Sequence, residues 1–315
     1  MNLIPTVDLS QYVNGNEADK QAFVEQLGNA YETVGFVKVK NHGVSQDLID
    51  LFFNKSNEFF ALDKEIKKKH TLPNGAGQRG YTAFGVEHAK QSDVPDLKEF
   101  YQIGQVVTDG DSIKEFYPDN IYCEEIPEFT KAGDDLYKAF EVAGGHLLRA
   151  IAVHLGLNEN YFDDKIHNGN SILRTIHYPP ITKAPESAIR AEQHEDINLI
   201  TLLVGASADG LELLTNEGEW IPIKAGPGEI VINVGDMLQR LTNNKLKSTT
   251  HRVVNPPKEK WHLPRLSIPF FLHPRSNMDL TCLPDCVDDE NPLAYEPITA
   301  GEYLNERLRE IGLIK

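Results

Sequence analysis

From residue 171 to about residue 275 the chain breaks into short segments of β-branched or alternating residues, separated by turn chemistry. Residues 172–178, 197–205, 220–223, 229–234, 248–254 and 265–272 read as strands, and Asp209-Gly210, Glu217-Gly218 and Gly235-Asp236 supply reversals. Parallel strands need a crossover of a dozen or more residues, usually a helix, and none is regularly interposed here. The segment therefore predicts a barrel or jelly roll and excludes a doubly wound sheet.

The region before it reads differently. After a strand-like opening at 4–9, residues 17–33 carry Phe23, Leu27, Ala30 and Tyr31 on one helical stripe. Helices are also expected over 46–60 and 128–155, the latter just after Pro127, where proline is tolerated in a first turn. Strands are expected at 35–40 and 97–103, and a closing helix at 299–313. The expectation is a single unit spanning 1–315: a mostly helical region 1–170, a jelly-roll core 171–275, and a tail with its helix at 276–315.

Charge and cysteine usage narrow the partners. The 31 Lys and Arg against 47 Asp and Glu give a net charge of −16, which repels nucleic-acid phosphates and anionic bilayers and favours a soluble monomer. Cys123, Cys282 and Cys286 form no disulfide framework or zinc-knuckle spacing and read as free thiols. No signal peptide or apolar run long enough for a membrane span is evident, so the expected location is the cytoplasm. Lys67-Lys68-Lys69 is expected to be solvated surface.

The chemistry concentrates in the strand-rich part. His194-Glu195-Asp196 places two ligand types two residues apart, on one face if the segment is a strand, and His251 lies in a later strand able to pack beside it. Two imidazoles and one carboxylate are the ligand set that leaves half of an octahedral iron(II) open, with room for a bidentate keto acid and dioxygen. Arg265 and Ser267 repeat the two-residue spacing and make a carboxylate clamp, to which Tyr178 can add a phenolic donor. Taken singly, each of these motifs is commonplace; their order and strand context carry the reading. Gly75-Ala76-Gly77-Gln78-Arg79-Gly80 spells a dinucleotide fingerprint, but Lys67 to Asn74 before it is no apolar strand, so a loop is expected. His42 is expected to be a turn histidine.

With these residues the chain resembles the isopenicillin N synthase-like branch of the iron(II)- and 2-oxoglutarate-dependent oxygenases. The likeness runs from Ile4-Pro5-Thr6-Val7-Asp8-Leu9 through Gly35-Phe36 and Asn41-His42-Gly43-Val44 to Gly228-Glu229-Ile230-Val231-Ile232-Asn233-Val234-Gly235-Asp236 and Pro269-Phe270-Phe271. It implies a distorted double-stranded β-helix with helices outside, iron(II) on His194, Asp196 and His251, and a carboxylate on Arg265 and Ser267. Tyr178 falls at the tyrosine of the family's Asn-Tyr-Tyr-Pro segment, whereas Ile176 and His177 depart from it. The implied reaction consumes 2-oxoglutarate and dioxygen and hydroxylates, desaturates or cyclises a small organic substrate, releasing succinate and carbon dioxide. Arg79, Tyr81 and Phe84 on the glycine-rich loop, with Arg174 and Phe271, are the candidate substrate contacts. Two alternatives stand beside this reading: an oxidase that uses no 2-oxoglutarate, in which the clamp takes the substrate's own carboxylate, and a non-catalytic jelly-roll binding module.

Overall fold

The computed structural model describes residues 4–73, 75, 77–86, 96–185, 188–205 and 209–310. Strands are β1 (Thr6–Asp8), β2 (Phe36–Lys40), β3 (Gly80–Thr82), β4 (Glu99–Gly104), β5 (Ile172–Tyr178), β6 (Ala191–His194), β7 (Ile200–Val204), β8 (Leu211–Leu214), β9 (Trp220–Pro222), β10 (Glu229–Val234), β11 (His251–Val253) and β12 (Arg265–Leu272). Helices are α1 (Leu9–Asn14), α2 (Glu17–Thr33), α3 (Gln46–Phe60), α4 (Lys64–Lys69), α5 (Pro127–His154), α6 (Asp163–Ile166), α7 (Asp236–Leu241) and α8 (Ala300–Glu310).

The strands form two sheets: an eight-stranded one in the order β1-β2-β10-β7-β12-β5-β4-β3 and a four-stranded one in the order β6-β11-β8-β9. Every pairing is antiparallel except that of β1 with β2. The result is the expected jelly roll, mainly β with helices flanking the larger sheet.

Period-two alternation gives the larger sheet two chemically different faces. On β4, Glu99, Tyr101 and Ile103 lie opposite His177, Thr175 and Leu173 of β5, and this set faces the helices. The intervening Gln102 and the residues Ile172, Arg174, Ile176 and Tyr178 face a cavity between the sheets. Helix α5 covers the first face with a buried stripe that includes Leu136, Phe140, Leu147 and Ile151. Each such side chain contributes about 1.5–3 kcal/mol when fully buried. Two glycines let the helix approach closely: a Cβ on Gly144 would stand 2.2 Å from Leu272 Cδ1, and one on Gly133 would stand 2.2 Å from Ile103 Cδ1. The Phe59 ring packs against Tyr101 and Phe129 at 4.9 and 5.0 Å, tying α3 to the same face.

Several expectations need correction. Lys67 is not solvated surface: it is buried on α4, and its ammonium donates to Phe60 O at 3.0 Å and to Glu99 Oε2 at 2.9 Å. Lys68 and Lys69 are exposed, as expected. Gly235-Asp236 is no simple reversal, because Asp236 opens α7. That helix, like α1, α4 and α6, spans too few residues to display a clear period. The closing helix is observed as Ala300–Glu310, and residues 311–313 of the expected span lie outside the described residues. Asn74 and Ala76 of the glycine-rich loop also lie outside them. His42 does follow β2 in a turn, buried, with Val44 N–H donating to its Nδ1 at 3.2 Å.

Candidate active site

The two sheets enclose a cavity of about 770 Å³, and the chemistry-bearing residues meet on its walls. His194 ends β6 and His251 begins β11, and these two residues are directly opposite each other in the antiparallel register. The smaller sheet thus brings together two imidazoles from distant parts of the chain. Asp196, however, is not on the strand: β6 stops at His194, and the carboxylate comes from the loop beyond it. The two-residue spacing reaches the common point by the strand ending, not by its pleat.

His194 Nε2 lies 3.9 Å and His251 Nε2 3.7 Å from the same oxygen, Asp196 Oδ1. The far side of each group is fixed. Nδ1 of His194 faces Glu192 O at 2.6 Å and Nδ1 of His251 faces Thr249 O at 3.1 Å. A carbonyl only accepts, so each Nδ1 carries a proton, and in the neutral ring the Nε2 lone pair then faces inward. Asp196 Oδ2 receives Thr201 Oγ1 at 2.7 Å and Asn233 Nδ2 at 2.8 Å, leaving Oδ1 to face the imidazoles. Asn198 Nδ2 in turn donates to Thr201 Oγ1 at 2.8 Å. This is how outer hydrogen bonds orient metal ligands.

Electrostatics agree with a cation-ready site. Burial and the neighbouring His251 push the His194 imidazole down to about 4, so it is neutral near pH 7. Burial alone would raise Asp196, but the imidazoles of His251 and His194 and the donors Asn233 and Thr201 outweigh it and hold the carboxyl below its usual range. A neutral His194 and an ionised Asp196 are the protonation states that binding of a divalent ion requires of them.

A second group lies on the larger sheet. Arg265 and Ser267 share one face of β12, both buried, with Arg265 Nη1 donating to Ser267 Oγ at 3.2 Å. Tyr178 stands opposite Arg265 in register, and the guanidinium lies 5.0 Å from the centre of its ring. Arg190 also lies over that ring, at 5.8 Å. Burial lowers the Arg265 guanidinium, a cost that an anionic ligand would offset.

The substrate contacts expected from the glycine-rich loop are not met. Arg79 is fully buried, donates to Gln78 O and packs its guanidinium where a Cβ on Gly104 would sit. Tyr81 is on the helix side of the sheet, donating to Glu99 Oε2 at 2.5 Å. Neither lines the cavity; both side chains are enclosed by packing rather than poised on a lid. Phe84 is exposed and is not a lining residue either. Phe271 and Arg174 do line the cavity, with the Arg174 guanidinium 4.2 Å from the Phe100 ring and 5.2 Å from the Phe271 ring. Its Nε donates to Gln102 Oε1 at 2.8 Å.

Sequence reasoning assigned no role to Thr201 and Asn233. The available signal was a lone polar residue inside each of the apolar strands Ile200–Val204 and Glu229–Val234. It also gave α8 no place at the site, yet Tyr303 and Leu304 line the cavity and Tyr303 Oη donates to Asp236 Oδ2 at 2.9 Å.

Two family models match the chain: the N-terminal region of non-haem dioxygenases in morphine synthesis over residues 4–125, and the 2OG-Fe(II) oxygenase superfamily over residues 169–274. A 2-oxoglutarate-dependent dioxygenase of Aspergillus rugulosus is 32% identical over 95% of this chain and 96% of its own length. A Caulobacter crescentus protein described as of the 2OG-Fe(II) oxygenase family superposes with a TM-score of 0.88 at 45% identity, covering 98% of this chain and 99% of that one. A full-length Neurospora crassa protein in complex with alpha-KG and thymine superposes with a TM-score of 0.85 at 32% identity, covering 97% and 96%. These relatives do not favour the oxidase or the binding-module alternative. The chain belongs to the 2OG-Fe(II) oxygenase superfamily, an oxidoreductase that uses iron(II), 2-oxoglutarate and dioxygen.

Proposed function

We propose that His194, Asp196 and His251 hold the iron(II), that Arg265, Ser267 and Tyr178 hold the distal carboxylate of 2-oxoglutarate, and that the protein hydroxylates a small organic molecule. One observation carries this reading: two imidazole Nε2 atoms, each with its tautomer fixed by a backbone carbonyl, converge on a single oxygen of Asp196. The donor set suits iron(II), since three protein ligands occupy one side of an octahedron and leave the other to exogenous ligands. When bound, iron(II) supplies dioxygen activation coupled to decarboxylation of 2-oxoglutarate to succinate and carbon dioxide.

The chain's own residues do the rest. Thr201 and Asn233 keep Asp196 Oδ1 turned inward, so the carboxylate need not reorient on binding. Arg265 and Ser267 fix one end of a five-carbon diacid by charge-assisted hydrogen bonds and thereby orient the other end. Apolar wall residues such as Ile176, Leu203 and Val253 exclude water. Arg174 lies four residues before Tyr178 on β5, about 13 Å away along the strand, so it faces the substrate end of the cavity together with Phe271. Relatives acting on or binding small molecules, a proline hydroxylase of Petromyces alliaceus and the Neurospora crassa protein crystallised with thymine, support a substrate of that size.

The acidic total, −16, supports a monomer that avoids nucleic acid, and no helix among the described residues is long and apolar enough to cross a membrane. The two family matches, over 4–125 and 169–274, support taking 1–315 as one oxygenase unit, and we take the cytoplasm as its location. The test is anaerobic titration of the protein with iron(II) and then 2-oxoglutarate. A visible metal-to-ligand charge-transfer band is expected in the native chain, absent in Asp196→Ala and saturating only at much higher 2-oxoglutarate in Arg265→Gln. A folded native protein with no band would overturn the assignment.

A further inference from the structure

Two groups of metal-ligand side chains converge among the described residues, and only one of them is the triad. The other is His70, Cys123 and Glu125, whose donor atoms all lie within 4.8 Å of one another. His70 caps the end of α4, and Cys123 and Glu125 lie just before α5. We propose that these three residues form a second metal site, for a zinc-like divalent ion, that staples the end of α4 to the start of α5.

The framework is rigid and largely buried. His70 is 6% and Cys123 1% exposed, while Glu125 reaches the surface. The His70 carbonyl accepts from Tyr81 N–H at 2.8 Å and its ring packs on Phe59, 5.9 Å between centres. The Cys123 segment is held by Tyr101 Oη, which donates to Ile121 O. Three donor classes come together: His70 Nε2 is 2.8 Å and Cys123 Sγ 3.7 Å from the same oxygen, Glu125 Oε2, and no pair of donor atoms is more than 4.8 Å apart. A histidine–carboxylate hydrogen bond accounts for the first contact alone. It gives no reason for a buried thiol to be aimed at a carboxylate, a weak donor where an apolar side chain would pack as well.

Zinc bonded at about 2.0–2.3 Å to nitrogen, oxygen and sulfur keeps tetrahedral ligands roughly 3.3–3.8 Å apart. The sulfur–oxygen distance already fits, and the histidine–carboxylate distance has only to open by about 0.5 Å. Thiolate with imidazole and carboxylate selects zinc over magnesium or calcium, and the exposed side of Glu125 leaves a fourth position for water. On binding, the thiol proton passes to solvent and the thiolate becomes the ligand.

The second site shares no residue with the triad, which contains no sulfur. Full-length Asp196→Ala protein titrated anaerobically with cobalt(II) is expected to show a near-ultraviolet thiolate-to-cobalt charge-transfer band at one equivalent. The band should vanish in Cys123→Ser, persist in Cys282→Ser, and disappear when zinc displaces the cobalt. Glu125→Gln, at an exposed position, should weaken cobalt binding at least tenfold. No sulfur band, a band that survives Cys123→Ser, or an affinity unchanged in Glu125→Gln would each overturn it.

Discussion

The two faces of the eight-stranded sheet use charge in opposite ways. On the helix side, Glu99 is fully partnered: Lys67 donates at 2.9 Å, Tyr81 at 2.5 Å and His177 Nδ1 lies at 2.8 Å. On the cavity side, Asp196, the two imidazoles and Arg265 direct their chemistry toward enclosed space. Both faces bury carboxylates, yet one closes its hydrogen bonds internally and the other leaves capacity for ligands. The closed cluster serves stability and the open one serves binding, so equivalent substitutions should separate two measurable properties.

The largest expected effect is on the open face. Asp196→Ala should reduce 2-oxoglutarate-dependent succinate formation to background, a loss of at least about a thousandfold, because the proposed iron site loses the one carboxylate of its three protein ligands. A depressed folded pKa means that the ionised carboxylate adds some stability at neutral pH, and its loss leaves Thr201 and Asn233 without their acceptor, so unfolding free energy should fall by only about 1–3 kcal/mol. A strongly destabilised Asp196→Ala protein would break the comparison, showing that the triad also supports the fold.

Next in size is the closed face. Glu99→Gln leaves Lys67 buried without its anion and should cost about 3–5 kcal/mol of unfolding free energy in urea, with KM for 2-oxoglutarate unchanged. The pH dependence sharpens this. Burial would raise Glu99, but His177, Tyr81 and Lys67 together hold its folded pKa below the usual carboxylate value. A depressed folded pKa means that the stabilisation is complete above the unfolded value of about 4.3 and is lost as pH falls through the folded one. The stability gap between native and Glu99→Gln protein should therefore be full at neutral pH and shrink in acid. A gap constant with pH would assign the loss to packing instead.

Which of these features the sequence made legible depends on length and on context. The long periodic elements were readable: helix Gln46–Phe60 and strands Ile172–Tyr178 and Arg265–Leu272 lie where pattern places them. The meeting of His194 and His251 was inferable because both flank strands of an antiparallel core. The closed cluster was not readable, because Lys67 sits in a run of lysines whose charge signals solvent, and only the tertiary fold buries one of the three. Arg79 and Tyr81 misled for the same reason: a glycine-rich neighbourhood suggests a lid, while their own side chains turn into the packed interior.

Arg265→Gln returns to the cavity with an intermediate effect. Losing a buried charge-assisted partner for a carboxylate costs about 2–5 kcal/mol, so KM for 2-oxoglutarate should rise by roughly 30-fold or more. Unfolding free energy should change little, since the burial cost that lowers this guanidinium disappears with it. An unchanged KM would mean that the clamp holds some other carboxylate.

The smallest effects make the cleanest contrast, because the same deletion can be made on each face: one hydroxyl that donates to a buried carboxylate. Thr201→Val removes the 2.7 Å donor to Asp196 Oδ2, and Tyr81→Phe removes the 2.5 Å donor to Glu99 Oε2. In the first, Asn233 still holds the oxygen but Asn198 Nδ2 loses its acceptor, so the fold should lose about 1–3 kcal/mol, while the freed carboxylate rotates more easily and iron(II) affinity should fall about tenfold. In the second, Lys67 and His177 remain, so stability should fall by about 1.5–3 kcal/mol, the range for a hydrogen bond to a charged group. Iron(II) affinity and turnover should stay at native values, because Tyr81 lies across the sheet from the cavity. Equilibrium dialysis of iron(II) and urea unfolding on the same two proteins decide the matter. If Tyr81→Phe weakened iron binding as much as Thr201→Val, the two faces would be coupled through β4 and β5 rather than separated by them.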